Sequence, residues 1–253
     1  MALYSKKDLE NIVLIDIETV SGSNSLGALE FEDGRLASLW EKRCDYLRKK
    51  HEDNQELSNE EIYKQKSGLQ AEFGKIICIT IGYIRFNESG QSVVKTKSYY
   101  SNDESDLLKK FFTFLKQLKN QIPGAKLTGH NIKRFDIPFI FKRGMILGLD
   151  IPEMINVFDK KPWEIPFIDT ADIWSNGAWQ ESFTSLDILT AVMGIPSPKS
   201  DIDGSQVTHV YWQEKDLERI VEYCERDVVA TAQLMIKFTG LELAIEENII
   251  KVS

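Results

Sequence analysis

Three cysteines, Cys44, Cys78 and Cys224, are too few and too scattered for a CxxC pair, a zinc-ligand spacing or an even disulfide framework, so a reducing, cytoplasmic setting is expected. Histidine is as scarce, at three residues. No Ser-His-Asp set and no Gly-rich phosphate loop is present. No apolar run approaches the ~20 residues of a membrane span. The opening Met1-Ala2-Leu3-Tyr4-Ser5-Lys6-Lys7 lacks both the apolar core and the cleavage pattern of an export signal. Positive charge is outnumbered, 31 Lys and Arg against 39 Asp and Glu, for a formal net charge of -8. That balance argues against wrapping a long nucleic-acid duplex by bulk attraction, but leaves room for a local basic groove. What remains is ordinary for a soluble globular chain: 253 residues, 42% apolar and 28% charged. The length allows one large α/β domain or two small ones.

The stretch that organises the chain is Asn11-Ile12-Val13-Leu14-Ile15-Asp16-Ile17-Glu18-Thr19. Its β-branched and aliphatic run predicts a central strand buried on both sides. Successive side chains on a strand alternate between faces, so Asp16 and Glu18 share one. Two carboxylates at such a place repel and lose solvation, a cost relieved by protons or a cation. Hard oxygen donors suit Mg²⁺ or Mn²⁺. The alternative is a wet strand exit at which both acids pair with nearby Lys or Arg.

The rest of the chain predicts a loop over about 20–31 and one or two charged helices over 35–71, either a flap near the site or a solvated cover. A strand over 75–84, a turn at Asn87-Glu88-Ser89-Gly90 and a return strand over 92–100 follow. Asn102 or Asp103 then caps a helix carrying Leu107, Leu108, Phe111, Phe112, Leu115 and Leu118. A short strand over 126–129 leads to a helix over 135–148 with Pro138 in its first turn, where proline is tolerated. A connection over 150–166, a strand over 167–171, a helix over 182–192, a polar loop over 199–206 and a long amphipathic helix over 215–238 complete the reading. No repeat or linker divides it. A single domain over 1–253, with a charged helical insertion at about 34–72, is expected, built as a mixed sheet with helices on both faces.

Two further acids bear on the first pair. Asp136, in Asn131-Ile132-Lys133-Arg134-Phe135-Asp136, falls at a strand-to-helix junction, where a favourable helix dipole would also account for it. Asp227, in Tyr223-Cys224-Glu225-Arg226-Asp227, lies one helical turn from Tyr223 on the same face, where a boundary tyrosine beside a surface acid is the plainer alternative. Taken in order, the three placements are hard to explain separately.

Asp16-Ile17-Glu18-Thr19 resembles the first motif of the DEDD 3′-5′ exonucleases. Asn131 to Asp136 resembles their second motif, NxxxFD, and Tyr223 to Asp227 their third, YxxxD, which marks the tyrosine subclass (DEDDy). The stand-alone family related to the proofreading domain of family-B DNA polymerases is the most similar. Phe73-Gly74-Lys75-Ile76-Ile77, Ser182-Phe183-Thr184-Ser185-Leu186 and Gly204-Ser205-Gln206-Val207 fit it as well. The resemblance is weakest over the helical stretch at 34–71.

The resemblance implies an α/β, ribonuclease H-like fold with a five-stranded mixed sheet and a site at the end of its first strand. It implies two divalent metals, Mg²⁺ or Mn²⁺. Asp16, Glu18 and Asp227 would ligate one, and Asp16 would reach the second, with Asp136 acting mainly through water. It implies stepwise removal of nucleoside monophosphates from the 3′ end of single-stranded DNA, with a role in repair or processing. Tyr223 would orient the attacking water. Its phenol, with an ordinary pKa of ~10, positions rather than removes a proton. Thr19, Asn131 and Phe135 would meet the terminal nucleotide, although a capping Asn and a core Phe are nearly as good readings of the last two. Lys133 and Arg134 are read either as phosphate contacts or as solvated charges. His130 takes no catalytic role, because Tyr223 fills that place. The chain leaves no room for a polymerase after the third motif, so no proofreading in cis is expected. The same site with RNA as substrate, and a binding protein with a vestigial site, are the competing readings. Intact Asp16, Glu18, Asp136, Tyr223 and Asp227 speak against the latter.

Overall fold

A reciprocal capping box between Ser5 and Asp8 starts α1 (Lys6–Glu10) in the computed structural model, which describes residues 3–178, 183–196 and 201–252. The apolar run then becomes β1 (Ile12–Ser21), buried along nearly all its length. After it come α2 (Leu26–Glu32), α3 (Gly34–Lys50) and α4 (Asn59–Lys66). β2 (Gly74–Phe86) and β3 (Ser92–Tyr100) form the expected hairpin. α5 (Glu104–Gln121), capped by Asp103, leads to β4 (Lys126–Gly129), α6 (Asp136–Ile146), β5 (Phe167–Asp169) and α7 (Thr170–Ser175). α8 (Leu186–Val192), the single turn α9 (Val207–His209), the long α10 (Leu217–Phe238) and β6 (Ile249–Lys251) close the chain.

The described strands make one mixed sheet in the order β5-β4-β1-β2-β3-β6. β1 runs antiparallel to β2 and parallel to β4. The sixth strand exceeds the expected five because three residues after α10 pair in parallel with β3 at the sheet edge. A strand that short carries too little alternation to be read from sequence.

The pleat of β1 sorts the two cores. Val13, Ile15 and Ile17 pack with Leu108, Phe111 and Leu115 of α5 and Ile140 of α6. Ile12 and Leu14 point the other way, into a second core with Val228, Ala232 and Met235 of α10. Burying each such side chain contributes ~1.5–3 kcal/mol, which holds β1 firmly between layers. Asp16 and Glu18 share parity with Ile12 and Leu14, so the strand turns both acids toward the α10 face. Gly82 lets that helix lie close. It sits opposite Leu14 in β2, and a Cβ there would fall 2.6 Å from Val228 Cγ1.

Several boundaries differ from expectation. Residues 20–31 are no continuous loop: β1 runs to Ser21, and α2 begins where the Ser25 side chain accepts from the Ala28 amide. Serine there is a helix cap, a role indistinguishable by composition from a loop residue. The strand over 167–171 stops at Asp169, whose side chain accepts from the Ala171 amide and starts α7. The helix read over 182–192 begins at Leu186 behind the cap Ser185, while Ser182 lies outside the described residues, as do 199 and 200 of the polar loop. The stretch 35–71 is helical as expected and carries its own apolar cluster, with Trp40 packed edge-on to Tyr63 at 5.4 Å. The Tyr63 hydroxyl accepts from the Ser23 amide at 3.1 Å, fixing this module to the carboxyl end of β1. Among the described residues, no helix is long and apolar enough to cross a membrane.

Candidate active site

β1 keeps its parallel partner only as far as Leu14, opposite Thr128 of β4. Beyond that point the strand's amides need another acceptor, and Asp136 supplies one: its Oδ1 accepts from the Ile17 amide at 3.1 Å. The intervening turn is tight. A Cβ at Gly129 would lie 2.6 Å from the Ile15 carbonyl oxygen, and Asn131 takes a left-handed φ of 64°. Asparagine tolerates that conformation better than most residues. The turn is tied down by Asp169, a buried acid that accepts from the amides of Asn131 at 2.8 Å and Lys133 at 3.1 Å. Asp136 is thereby delivered to the strand that carries Asp16 and Glu18. A register shift between Glu18 and Thr19 interrupts the ladder with β2 at this point. Bulges of this kind re-aim side chains next to functional sites.

α10 closes the site from the other layer. Its Tyr223 hydroxyl donates to Asp227, one turn along the same face. Cys224, fully buried, donates its thiol to the Asp16 carbonyl at 3.5 Å and to Asp16 Oδ2 at 3.3 Å. Donor atoms of Asp16, Glu18 and Cys224 all lie within 4.8 Å of one another. Gly204 packs beside this group, since a Cβ there would lie 3.9 Å from the Tyr223 hydroxyl.

The electrostatics follow from enclosure. Burial, then repulsion from Asp136 and Asp227, pushes the Asp16 carboxyl well above the usual range. Glu18 rises likewise, by burial and then by Asp16 and Asp227. Burial lifts Asp136 to about 7, against the opposing hydrogen bonds from its own amide and that of Ile17. Asp227 is also lifted to about 7, by burial and by Asp187 of α8, with the Tyr223 hydrogen bond and Arg226 opposing. Burial and the neighbouring carboxylates raise the Tyr223 phenol too, so it stays neutral and serves as a donor. Burial and repulsion raise all four carboxyls, and a divalent cation would relieve the same repulsion. Their hard oxygen donors fit Mg²⁺ or Mn²⁺.

The remaining predicted residues take varied places. Thr19 is half-buried just past the register shift. Asn131 holds the turn, and Phe135 occupies the N-cap of α6, with its ring 5.5 Å from Phe139 and packed against the larger core. Lys133 and Arg134 both pair with Asp172, at 3.0 and 2.9 Å. His130 bridges Thr170 Oγ1 at 2.8 Å and the Thr184 carbonyl at 2.9 Å, a latch between two segments. Sequence reasoning passed over Asp169, Asp187 and the contact of Cys224 with Asp16. Asp169 did carry a signal, because an acid ending the short apolar strand Phe167-Ile168-Asp169 repeats the logic of Asp16. The other two depend on how helices rotate against the sheet.

A family model described as a predicted 3′-5′ exonuclease related to the exonuclease domain of PolB matches residues 67–251. That span holds the segments of Asp136, Tyr223 and Asp227, and the fold brings Asp16 and Glu18 to them from outside it. The family B DNA polymerase from the hyperthermophilic archaeon Pyrobaculum calidifontis is similar in structure, with a TM-score of 0.54 at 13% identity. The alignment covers 89% of this chain and 24% of the polymerase, so this chain corresponds to a minor part of that protein's length. At that identity the likeness establishes the fold, which is ribonuclease H-like.

Proposed function

Because the chain belongs to the family of predicted 3′-5′ exonucleases related to the exonuclease domain of PolB, we propose that it is a two-metal-dependent exonuclease acting on the 3′ end of single-stranded DNA. It would release nucleoside monophosphates. The supporting observation is the convergence of Asp16 and Glu18, whose donor atoms lie within 4.8 Å of each other and of Cys224, with Asp136 bonded to the intervening Ile17 amide and the charge of Asp227 raising both acids. Asp16, Glu18 and Asp227 would hold one Mg²⁺ or Mn²⁺, and Asp16 with Asp136 a second. Bound there, such a pair supplies charge neutralisation at the attacking and leaving oxygens of an in-line displacement.

The protein's own groups do the positioning. Asp136 is held through Oδ1 by the Ile17 amide. Tyr223, neutral and donating to Asp227, orients the water that attacks phosphorus; its raised phenol pKa makes it a poor proton acceptor. Thr19, Asn131 and Phe135 flank the acids and meet the terminal nucleotide. We read the chain as one exonuclease domain over 1–253 that trims 3′ ends in DNA repair or processing in the cytoplasm. Its three buried free thiols are in keeping with a reducing compartment.

The test is a time course on 5′-labelled single-stranded DNA with Mg²⁺, Mn²⁺ or chelator, with Asp16→Ala run alongside. A metal-dependent ladder shortening from the 3′ end, absent in the variant, is expected. A ladder on RNA but not on DNA would move the substrate. No cleavage of either in both metals would sink the enzyme reading.

A further inference from the structure

Beside the second motif a groove of about 750 Å³ opens, whose lining includes Asn131, Arg134, Asp172, Trp174, Phe183 and Thr184. Two of its walls lead to the acids. Asn131 begins the turn that ends at Asp136, which is bonded to Ile17. Thr184 stands three residues before Asp187, whose charge reaches Asp227. The groove thus shares Asn131 with the turn that delivers Asp136 to the strand of acids. Two of its aromatic rings are open to solvent: Trp174 is 45% exposed and Phe183 59%. Phe183 is backed by His130, with ring centres 5.4 Å apart, and His130 is locked at both nitrogens. That gives a rigid, half-uncovered platform rather than a loose side chain.

Charge decides what such a platform would take. The cations bordering the groove, Lys133 and Arg134, are committed to Asp172, and the chain as a whole carries -8. Asp172 offsets one of these two positive charges, and two aromatic faces remain available. Bases stack on such faces whatever their sequence, provided they are unpaired. We propose that this groove is the track for the unpaired nucleotides preceding the 3′ end, with Trp174 and Phe183 as stacking platforms and Asp172 restraining Lys133 and Arg134 from gripping phosphates. The assignment rests on the exonuclease reading and adds to it a structural reason for preferring single strands: a paired base has no free face to offer.

The experiment is steady-state kinetics on 5′-labelled oligo-dT with Mg²⁺, for the wild type, Trp174→Ala, Trp174→Phe, Phe183→Ala and Asp172→Asn. Each alanine variant should raise KM by about 5- to 100-fold, the range base stacking allows, with kcat changed far less. Trp174→Phe should restore most of the loss, which a purely structural role for the indole would not produce. Asp172→Asn should lower KM at low salt and steepen the salt dependence, by ~0.7 in log–log slope for each phosphate newly engaged. Trp163→Ala, at an exposed tryptophan outside the groove, should match the wild type. An active wild type with KM unmoved beyond about twofold in both alanine variants would overturn the groove assignment and leave the nuclease standing. A wild type inactive on every nucleic acid would instead remove the reading beneath it. Phe183 is exposed enough that its truncation leaves the fold intact, so misfolding of Trp174→Ala alone would not leave the question open.

Discussion

Removing the charge of Asp227 should stabilise the metal-free protein, although it removes a residue proposed to be essential. The carboxyl of Asp227 sits at about 7 in the folded chain against an ordinary 3.8. Between those values the folded state holds a proton that the unfolded state has released. Stability is therefore fully present below about 4 and is lost as pH rises through about 7. At ~1.36 kcal/mol per pH unit, the penalty is about 4 kcal/mol by pH 8, and the partial solvent exposure of Asp227 reduces it to ~2–4 kcal/mol. Asparagine keeps an oxygen to accept the Tyr223 hydroxyl, so Asp227→Asn removes the charge without orphaning its donor. For a chain of this size, that predicts an unfolding midpoint about 5–15 °C above the wild type at pH 8 in chelator. The gap should narrow as pH falls and close only below about 4. Adding Mg²⁺ should raise the wild type and barely move the variant, because the cation binds the folded state alone. The assay is thermal unfolding across pH with and without metal. An Asp227→Asn midpoint at or below the wild type at pH 8 in chelator would refute the reasoning, since the enclosed acids would then not be repelling one another.

Tyr223→Phe should lower kcat by about 10- to 100-fold with KM little changed, measured on labelled DNA at saturating Mg²⁺, because it deletes only the hydroxyl proposed to orient water. Gly82→Ala would set a methyl 2.6 Å from Val228 Cγ1; a loss of ~1–3 kcal/mol in urea denaturation is expected, with a fall in activity as α10 and its Asp227 are displaced. Asp169→Ala should cost ~2–4 kcal/mol by leaving the Asn131 and Lys133 amides without acceptors, and exchange of the amides in that turn should accelerate first.

How far the sequence carried depended on whether a feature was local. The period of two in β1 was enough to place Asp16 and Glu18 on one face, and the four-residue spacing in α10 was enough to pair Tyr223 with Asp227. Both are properties of a single element. Asp136 could be placed at a strand-to-helix junction, but its hydrogen bond to Ile17 spans two elements brought together only by the sheet. The Cys224 thiol on Asp16 depends on the roll of α10 against β1, which Gly82 permits and which no periodicity reports. Trp174 and Phe183 belong to separate segments that the His130 latch ties together. The serine-rich stretch after β1 was misread because a helix cap and a loop use the same residues, and β6 because three residues make no pattern.

The same locality explains why the site lies where the sequence is least self-consistent. Everything around Asp16 and Glu18 asks for a buried central strand, and the fold grants it by laying α10 across that face. The acids are carried under the helix by their neighbours' hydrophobicity, against their own solvation. Nothing in packing favours them there, and neutral residues of similar shape would fold at least as well. A conflict of this kind between local chemistry and global fold is expected where function has been placed. It has two physical resolutions, protons or a cation. The raised carboxyls of Asp136 and Asp227 put the exchange between them close to neutral pH, so metal binding should release protons most steeply as pH falls from 8 toward 6.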